Sequence, residues 1–259
     1  MPLQEMTLFG EVDKVALAIE RLRAFEPPEG YYLAFSGGKD SQVIYDLAMR
    51  AGVCFDAHYS LTTVDPPELV KFIREEYPTV TIEKPPKTMW ELIVQHGTPP
   101  TRLMRYCCSD LKERGGTGRL VVTGVRWAES SRRRQRAMTE SCIRDGTKRY
   151  LHPIIDWTED DVWEYHRNYI SRHCRLYDEG WRRIGCILCP MSTEIERDMA
   201  RWPKIAAAYR RAIERAWKLR VERGDSLSFR SADELWYWWI ARHAKGKDIG
   251  QAELFPFDD

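Results

Sequence analysis

Apolar residues recur along this chain in two alternating rhythms, short unbroken runs and helical stripes. Tyr31 to Phe35 is an apolar, aromatic run of the kind that forms a buried strand. Val53 to Tyr59, Val80 to Ile82 and Leu120 to Gly124 read as further strands. Between them the period changes. Glu11 to Phe25 carries Val12, Val15, Ala16, Ala18, Ile19 and Leu22 on one face, which predicts an N-terminal helix ended by Pro27 and Pro28. Val43, Ile44, Leu47 and Ala48 predict a helix over Asp40 to Met49 with Gly52 as its stop. Leu61 to Glu68 reads as a loop that starts another helix running to about Tyr77, and a short helix covers Thr88 to Gln95. Strands alternating with helices predict an α/β fold, a mostly parallel sheet flanked by helices. In such sheets ligands bind beyond the carboxyl ends of the strands. Ser36 and Gly124 both lie at such ends, so they are expected to face one crevice.

The later part of the chain has a different texture. Thr158 and Asp161 have capping-box spacing before a helix containing Val162, Trp163 and His166. From Ser192 onward the pattern is mainly helical. Ile205, Ala208, Tyr209, Ala212, Ile213, Ala216 and Trp217 form one apolar face, with Pro203 near its start and Gly224 past its end. Ser231 and Glu234 form a second capping pair, leading into Leu235 to Ala244 and a stop at Gly246. Trp90 and Trp127 precede residue 150, whereas the other eight of the ten tryptophans follow it. We therefore expect a nucleotide-type core over residues 1–190 and a helical C-terminal region over 191–259 packed on it. The acidic, aromatic stretch from Gln251 to Asp259 gives no readable role. No repeat or low-complexity segment is present in the sequence.

Composition adds little to this picture. Lys plus Arg is 40 against 39 for Asp plus Glu, a formal net charge of +1, so any basic surface must be local. The first residues lack the basic and apolar stretches of a signal peptide, and no run is long enough to span a bilayer. A cytoplasmic protein is expected, with its seven cysteines reduced or bound to metal.

The first chemistry sits between the aromatic strand and the helix after it. Ser36-Gly37-Gly38-Lys39-Asp40-Ser41 joins a strand end, a glycine turn and a helix N-terminus. Unpaired N–H groups and the helix dipole make such a junction an anion site. Lys39 adds a mobile cation, and Ser36 and Ser41 add hydroxyl donors. The spacing is not that of Walker A. It resembles the pyrophosphate-binding loop (PP-loop) of the ATP pyrophosphatase superfamily, which includes the PAPS reductases. That resemblance implies an adenine nucleotide alpha hydrolase-like fold and an adenine nucleotide ligand. Lys39 and Asp40 are then candidate catalytic residues, and residues 36–41 the phosphate cradle.

The second chemistry is sulfur. Cys107 and Cys108 are adjacent, and Cys186 and Cys189 form Cys-x-x-Cys. Four thiolates are the usual complement of an iron–sulfur cluster, and equally of a structural zinc site. Adjacent cysteines chelate one ion awkwardly, which favours a [4Fe–4S] cluster, though ligand softness admits both. Four unligated core cysteines are the bland alternative. Cys54 reads as a buried apolar residue of a strand. Cys142 lies near Arg144 and Lys148, thin evidence for a reactive thiol. Cys174 is uninformative.

Order along the chain supplies a further resemblance. Cys107-Cys108 is followed by Val122-Thr123-Gly124-Val125-Arg126, then His152-Pro153-Ile154-Ile155-Asp156-Trp157-Thr158-Glu159-Asp160-Asp161-Val162-Trp163, then Ile184-Gly185-Cys186-Ile187-Leu188-Cys189. This is similar to the cluster-bearing adenylylsulfate reductases of the PAPS reductase family over about residues 30 to 190. The resemblance implies that Cys107, Cys108, Cys186 and Cys189 hold a [4Fe–4S] cluster beside the nucleotide. It also implies that Thr62 and Thr63 lie near the adenine or ribose, with Gly124 and Arg126 on the nucleotide's other side and Arg126 a candidate for catalysis. One departure stands out. Those reductases end in a Glu-Cys-Gly segment whose cysteine attacks the sulfur of the sulfonucleotide, and no cysteine follows Cys189 in this sequence.

Ser130-Ser131-Arg132-Arg133-Arg134-Gln135-Arg136 follows the Val-Thr-Gly-Val-Arg strand end. Arg132, Arg133 and Arg136 are candidates to bind phosphate, sulfate or a nucleic-acid backbone, against the plainer reading of a solvated face. The arginines at 197, 201, 210, 211, 215, 220 and 223 read as a solvated helix face with Glu214 and Glu222 as partners. Trp236, Trp238 and Trp239 read as core. The leading expectation is a PP-loop enzyme that binds ATP with Mg²⁺ and one [4Fe–4S] cluster. It would couple pyrophosphatase-type activation to sulfur transfer from a donor, with nucleic acid a candidate acceptor, as the resemblance to DNA phosphorothioation enzymes and tRNA thiolases suggests. The alternatives are a reductase of APS or PAPS served by a thioredoxin-like partner, and a binding module with a structural cluster.

Overall fold

The computed structural model describes residues 3–7, 10–142 and 146–245. Arg144, the stop expected at Gly246 and the stretch 251–259 lie outside the described residues. By its internal contacts the chain forms two compact units. The first comprises Met1–Ser60, Pro67–Glu83 and Arg114–Ile184, and the second Leu61–Pro66, Lys84–Glu113 and Gly185–Asp259.

The first unit is built on a six-stranded sheet. Its strands are β3 (Tyr31–Ala34), β4 (Phe55–Ser60), β5 (Thr81–Glu83), β6 (Leu120–Val122), β7 (Thr139–Ser141) and β8 (Arg149–Leu151), in spatial order β5-β4-β3-β6-β8-β7. All neighbours run parallel except β7 with β8. Tyr31, Leu33, Val122 and Leu151 are fully buried, as both-face burial of a parallel sheet requires. The helices are α1 (Lys14–Ala24), α2 (Lys39–Ala51), α3 (Pro67–Glu76) and α6 (Glu159–Tyr169). Val43, Ile44 and Leu47 bury the apolar stripe of α2, and Gly52 ends the helix at φ 70°, where a side chain would be strained. From β3 the chain goes to β4 on one side and later to β6 on the other. The strand order therefore reverses between β3 and β6, which is where open α/β sheets form their ligand crevice.

One expectation of a helix is corrected at the N-terminus. Glu11 and Val12 belong to an antiparallel hairpin of β1 (Gln4–Thr7) and β2 (Gly10–Asp13), not to a helix. The cause is Asp13, whose carboxylate accepts from the N–H groups of Val15 and Ala16 at 2.8 and 3.0 Å and so starts α1 one residue later. Cys54 is a second correction. It is exposed, because β4 starts only at Phe55 and Cys54 stays in the connection before it.

The second unit is helical: α4 (Met89–His96), α5 (Tyr106–Leu111), α7 (Ile195–Arg201), α8 (Pro203–Arg223) and α9 (Ala232–Lys245). Ala206, Tyr209, Ala212, Ile213 and Ala216 bury one face of α8. Trp90 of α4 meets the Tyr209 ring edge-on at 5.0 Å, and Trp239 of α9 packs on Tyr209 at 5.1 Å. Trp239 also donates its indole N–H to the Pro100 carbonyl at 2.8 Å, so the polar atom of a buried ring is satisfied. Of the three tryptophans expected in the core, Trp236 and Trp239 are buried and Trp238 is half-buried. Among the described residues no helix is long and apolar enough to cross a membrane.

Candidate functional site

The glycine turn lies at the β3 end of the crevice. Gly37 takes φ +70°, and a Cβ there would stand 2.7 Å from the Ile73 side chain and 2.8 Å from that of Leu69. Gly38 occupies the N-cap position of α2 and offers no side-chain cap, so the first-turn amides need other acceptors. The loop is braced from within. Ser41 donates to the Gly38 carbonyl at 2.8 Å, Gln42 Nε2 donates to the Gly37 carbonyl at 3.0 Å, and the Ser36 and Ser41 hydroxyls pair at 3.1 Å.

Charged groups gather against this first turn. Gly124, beyond β6, has no room for a side chain: a Cβ would sit 2.9 Å from Asp40 Cβ and 3.0 Å from its carbonyl. That close approach lets Arg126 reach Asp40 Oδ1 through Nε at 2.7 Å. Its Nη2 donates to Glu159 Oε2, also at 2.7 Å. Lys39 Nζ lies 3.3 Å from Asp40 Oδ2 and 3.4 Å from Glu159 Oε1. Both cations are buried, Arg126 with 1% exposure, and the two carboxylates hold the Arg126 guanidinium firmly charged against the desolvation that opposes it. The helix backbone is fixed as well. The Lys39 N–H donates to the Tyr177 hydroxyl at 2.9 Å, and His166 Nε2 lies 3.0 Å from the Lys39 carbonyl. Burial favours the neutral imidazole of His166, consistent with a single N–H donated to that carbonyl.

Ser36, Gly37, Gly38, Lys39, Asp40, Ser41, Gly124 and Arg126 are thus brought together in the first unit. Thr62 and Thr63 belong to the second. The buried Thr62 hydroxyl accepts from the Cys186 thiol at 3.4 Å. Thr63 adopts φ 66° and accepts from the Met89 N–H at 3.0 Å. Of the arginines, Arg133 pairs with Glu129, Arg136 with Glu140 at 3.6 Å, and Arg132 is exposed. Glu159, Tyr177 and His166 were not singled out as site residues by sequence reasoning. Glu159 sits inside a motif quoted above, whereas nothing local marks Tyr177.

The four cysteines all lie in the second unit, and their thiols share one electrostatic neighbourhood. Cys107 is held protonated by its hydrogen bond to Cys108, by burial and by the nearby Cys108, Cys186 and Cys189. Cys108 is correspondingly shifted toward the thiolate. Burial raises Cys186, and the Lys112 ammonium, hydrogen-bonded to it, is stabilised by Cys186 and Cys189. The knuckle backbone is pinned by two bonds, from Ile187 N–H to the Val64 carbonyl and from Leu188 N–H to Asp198 Oδ2, both at 2.8 Å. Leu188 adopts φ 56°, and burial raises the Asp198 carboxyl to about 6. Among the described residues, no group of three or more His, Cys, Asp or Glu side chains is arranged to hold a metal ion.

A mostly parallel sheet with a glycine loop at its switch point and a lysine–arginine pair beside it defines a class, and comparison with known proteins gives that class its family. Residues 30–192 match the phosphoadenosine phosphosulfate reductase domain, and the chain belongs to that family. It is an enzyme, a sulfonucleotide reductase or a related PP-loop enzyme. Among its relatives is the adenosine 5'-phosphosulfate reductase of Oceanobacillus iheyensis, 28% identical over 185 residues, covering 65% of this chain and 75% of that protein. An uncharacterised protein of Methanocaldococcus jannaschii is 29% identical over 173 residues, 63% of this chain and 42% of that protein. The chain thus spans less than half of that archaeal relative's length. The fold is that of the phosphoadenylyl-sulfate reductase from Candida auris, crystallised as a phosphate complex: TM-score 0.51 at 21% identity, over 65% of this chain and 87% of that one.

Proposed function

We propose that the chain activates an acceptor with ATP at the PP-loop and couples this activation to sulfur transfer. The observation that supports it is the placing of two buried cations, Lys39 and Arg126, at the start of α2, whose N-cap glycine has no side chain of its own. Loop amides and Lys39 would hold the β- and γ-phosphates, with Arg126 and Gly124 bordering the α-phosphate. An acceptor oxygen attacks the α-phosphorus, the bond to the bridging oxygen breaks, and pyrophosphate leaves with its growing charge stabilised by Lys39 and the amides. Mg²⁺ would share that charge. Sulfur from a donor then replaces the adenylate on the acceptor, releasing AMP. Exposed Arg132 and its neighbours support a nucleic-acid acceptor.

Cys107, Cys108, Cys186 and Cys189 would hold a [4Fe–4S] cluster. The donor set supports this: four soft thiols of one unit, with Cys186 and Cys189 lying close enough to Cys107 to help hold its proton and Lys112 as a cationic neighbour. Such a cluster supplies redox chemistry or sulfur activation when bound. Thr62, Asp198 and Lys112 orient the ligands around it.

A second reading is favoured by the relatives named as adenosine 5'-phosphosulfate reductases. Here a thiolate, Cys142 or that of a thioredoxin-like partner, attacks the sulfur of a sulfonucleotide. The sulfur–oxygen bond breaks, AMP leaves from APS or adenosine 3',5'-bisphosphate from PAPS, and a second thiol releases sulfite as a disulfide forms. Anaerobically purified protein, assayed for iron, sulfide and zinc, tests the metal. Incubation with ATP and nucleic acid should yield pyrophosphate and AMP on the first reading. Sulfite from APS or PAPS with thioredoxin, and no pyrophosphate from ATP, would replace it with the second.

A further inference from the structure

At the PP-loop the charges are already matched and the first helical amide is already taken. We propose that Glu159 and Tyr177 occupy the phosphate seat in the ligand-free chain and that the incoming polyphosphate displaces them. This rests on the nucleotide reading above and adds to it two residues that set affinity.

Glu159 bridges the two cations, at 2.7 Å from Arg126 Nη2 and 3.4 Å from Lys39 Nζ. Its side chain is 51% exposed, so it can swing out. It has no capping duty to keep it there. Thr158 and Asp161 complete the capping box of α6 between themselves, with the Asp161 N–H on Thr158 Oγ1 and the Thr158 N–H on Asp161 Oδ2. Asp40 and Glu159 together offset Lys39 and Arg126, so a polyanion arriving with Glu159 in place meets no surplus positive charge and a carboxylate at contact distance. With Glu159 turned away, one cation's worth of charge is released to the phosphate.

Tyr177 plays the same part on the backbone. Its hydroxyl accepts from the Lys39 N–H, the first amide of α2, and lies 3.4 Å from where a Gly38 Cβ would be. The Lys39 ammonium sits 6.0 Å from the centre of its ring. Tyr177 comes from a turn, closed by Tyr177 N–H to Cys174 and Gly180 N–H to Tyr177, rather than from a helix or strand. Burial keeps the phenol protonated, so it is a neutral acceptor where a phosphate oxygen would make a charge-assisted bond.

Calorimetry of the full chain with inorganic pyrophosphate and with ATP, in EDTA so that no divalent ion holds the carboxylates, tests this. Glu159→Gln and Tyr177→Phe should each bind about tenfold more tightly than wild type, the factor expected if the occupied arrangement holds about nine-tenths of the molecules. A purely supporting role would leave affinity unchanged or lower it, and either result overturns the proposal for that residue. Hydrogen exchange on wild type gives a reading free of substitutions. Pyrophosphate should protect residues 36–42 while deprotecting 174–180, and protection of both segments would overturn displacement. If wild type binds and the variants do not tighten, only this inference fails. If neither wild type nor variants bind ATP or pyrophosphate, in EDTA or with Mg²⁺ restored, the nucleotide reading fails with it.

Discussion

Lys39 is buried, and its ammonium lies within ion-pair distance of the Asp40 and Glu159 carboxylates, 6.0 Å from the centre of the Tyr177 ring. Removing it should therefore harm binding more than folding. Lys39→Ala is expected to weaken ATP affinity roughly ten- to a hundredfold, the equivalent of one hydrogen bond to a charged group. Unchanged affinity by calorimetry would count against the loop as the phosphate site. His152 gives the residue scale a pH signature. It is fully buried, its Nδ1 lies 2.7 Å from the Thr123 hydroxyl, and burial together with Arg136 and Arg133 pushes it down to about 4. A histidine lowered on folding stabilises the protein above its unfolded pKa near 6.5, and that stability is lost as pH falls toward 4. Wild type should lose about 2 kcal/mol between pH 7.5 and 5 from this group. Urea titrations of His152→Gln should show that part of the pH dependence gone.

At the scale of elements, what could be read in advance was what is encoded locally. The PP-loop, α2 with its Gly52 stop, the Thr158 capping box and the Pro203-to-Gly224 helix are each set by neighbours a few residues apart. The strands β7 and β8 escaped because they are three residues long, and Glu140 and Arg149 give them no apolar alternation. The helix α5, which carries the cysteine doublet, has no side-chain cap to announce it. Tyr177 meets Lys39 across 138 positions and Glu159 meets Arg126 across 33, distances no local pattern records. The Cys-x-x-Cys knuckle shows the same limit, since Asp198 supports Leu188 from α7. Asp198→Ala should leave that buried N–H unpaired at a cost of about 1–3 kcal/mol. If the four thiols hold a cluster, it should also lower iron bound per chain in anaerobic preparations. Full iron content with unaltered stability would remove Asp198 from the knuckle's support.

For the molecule as a whole, the sequence conveyed the α/β class and the family, because strand runs and motif order survive any detail of packing. It did not convey that the chain interleaves two units. The expected division at residue 190 cannot express that residues 61–66 and 84–113 share a unit with the C-terminal helices. If the four thiols hold a cluster, its binding free energy is stability of that second unit. Iron chelation should therefore lower the melting temperature measured by far-UV dichroism at 222 nm, where the helices dominate. A chelated sample melting like the untreated one would deny the cluster any structural part.

Interleaving also has a temporal consequence. During synthesis the cysteine pair of α5 emerges long before the knuckle, and the strands β6 to β8 and helix α6 are made in between. The early pair must then wait, reduced and unaccompanied, while another body folds. If the four thiols are cluster ligands, oxidation during translation would pair the early thiols before iron could bind them.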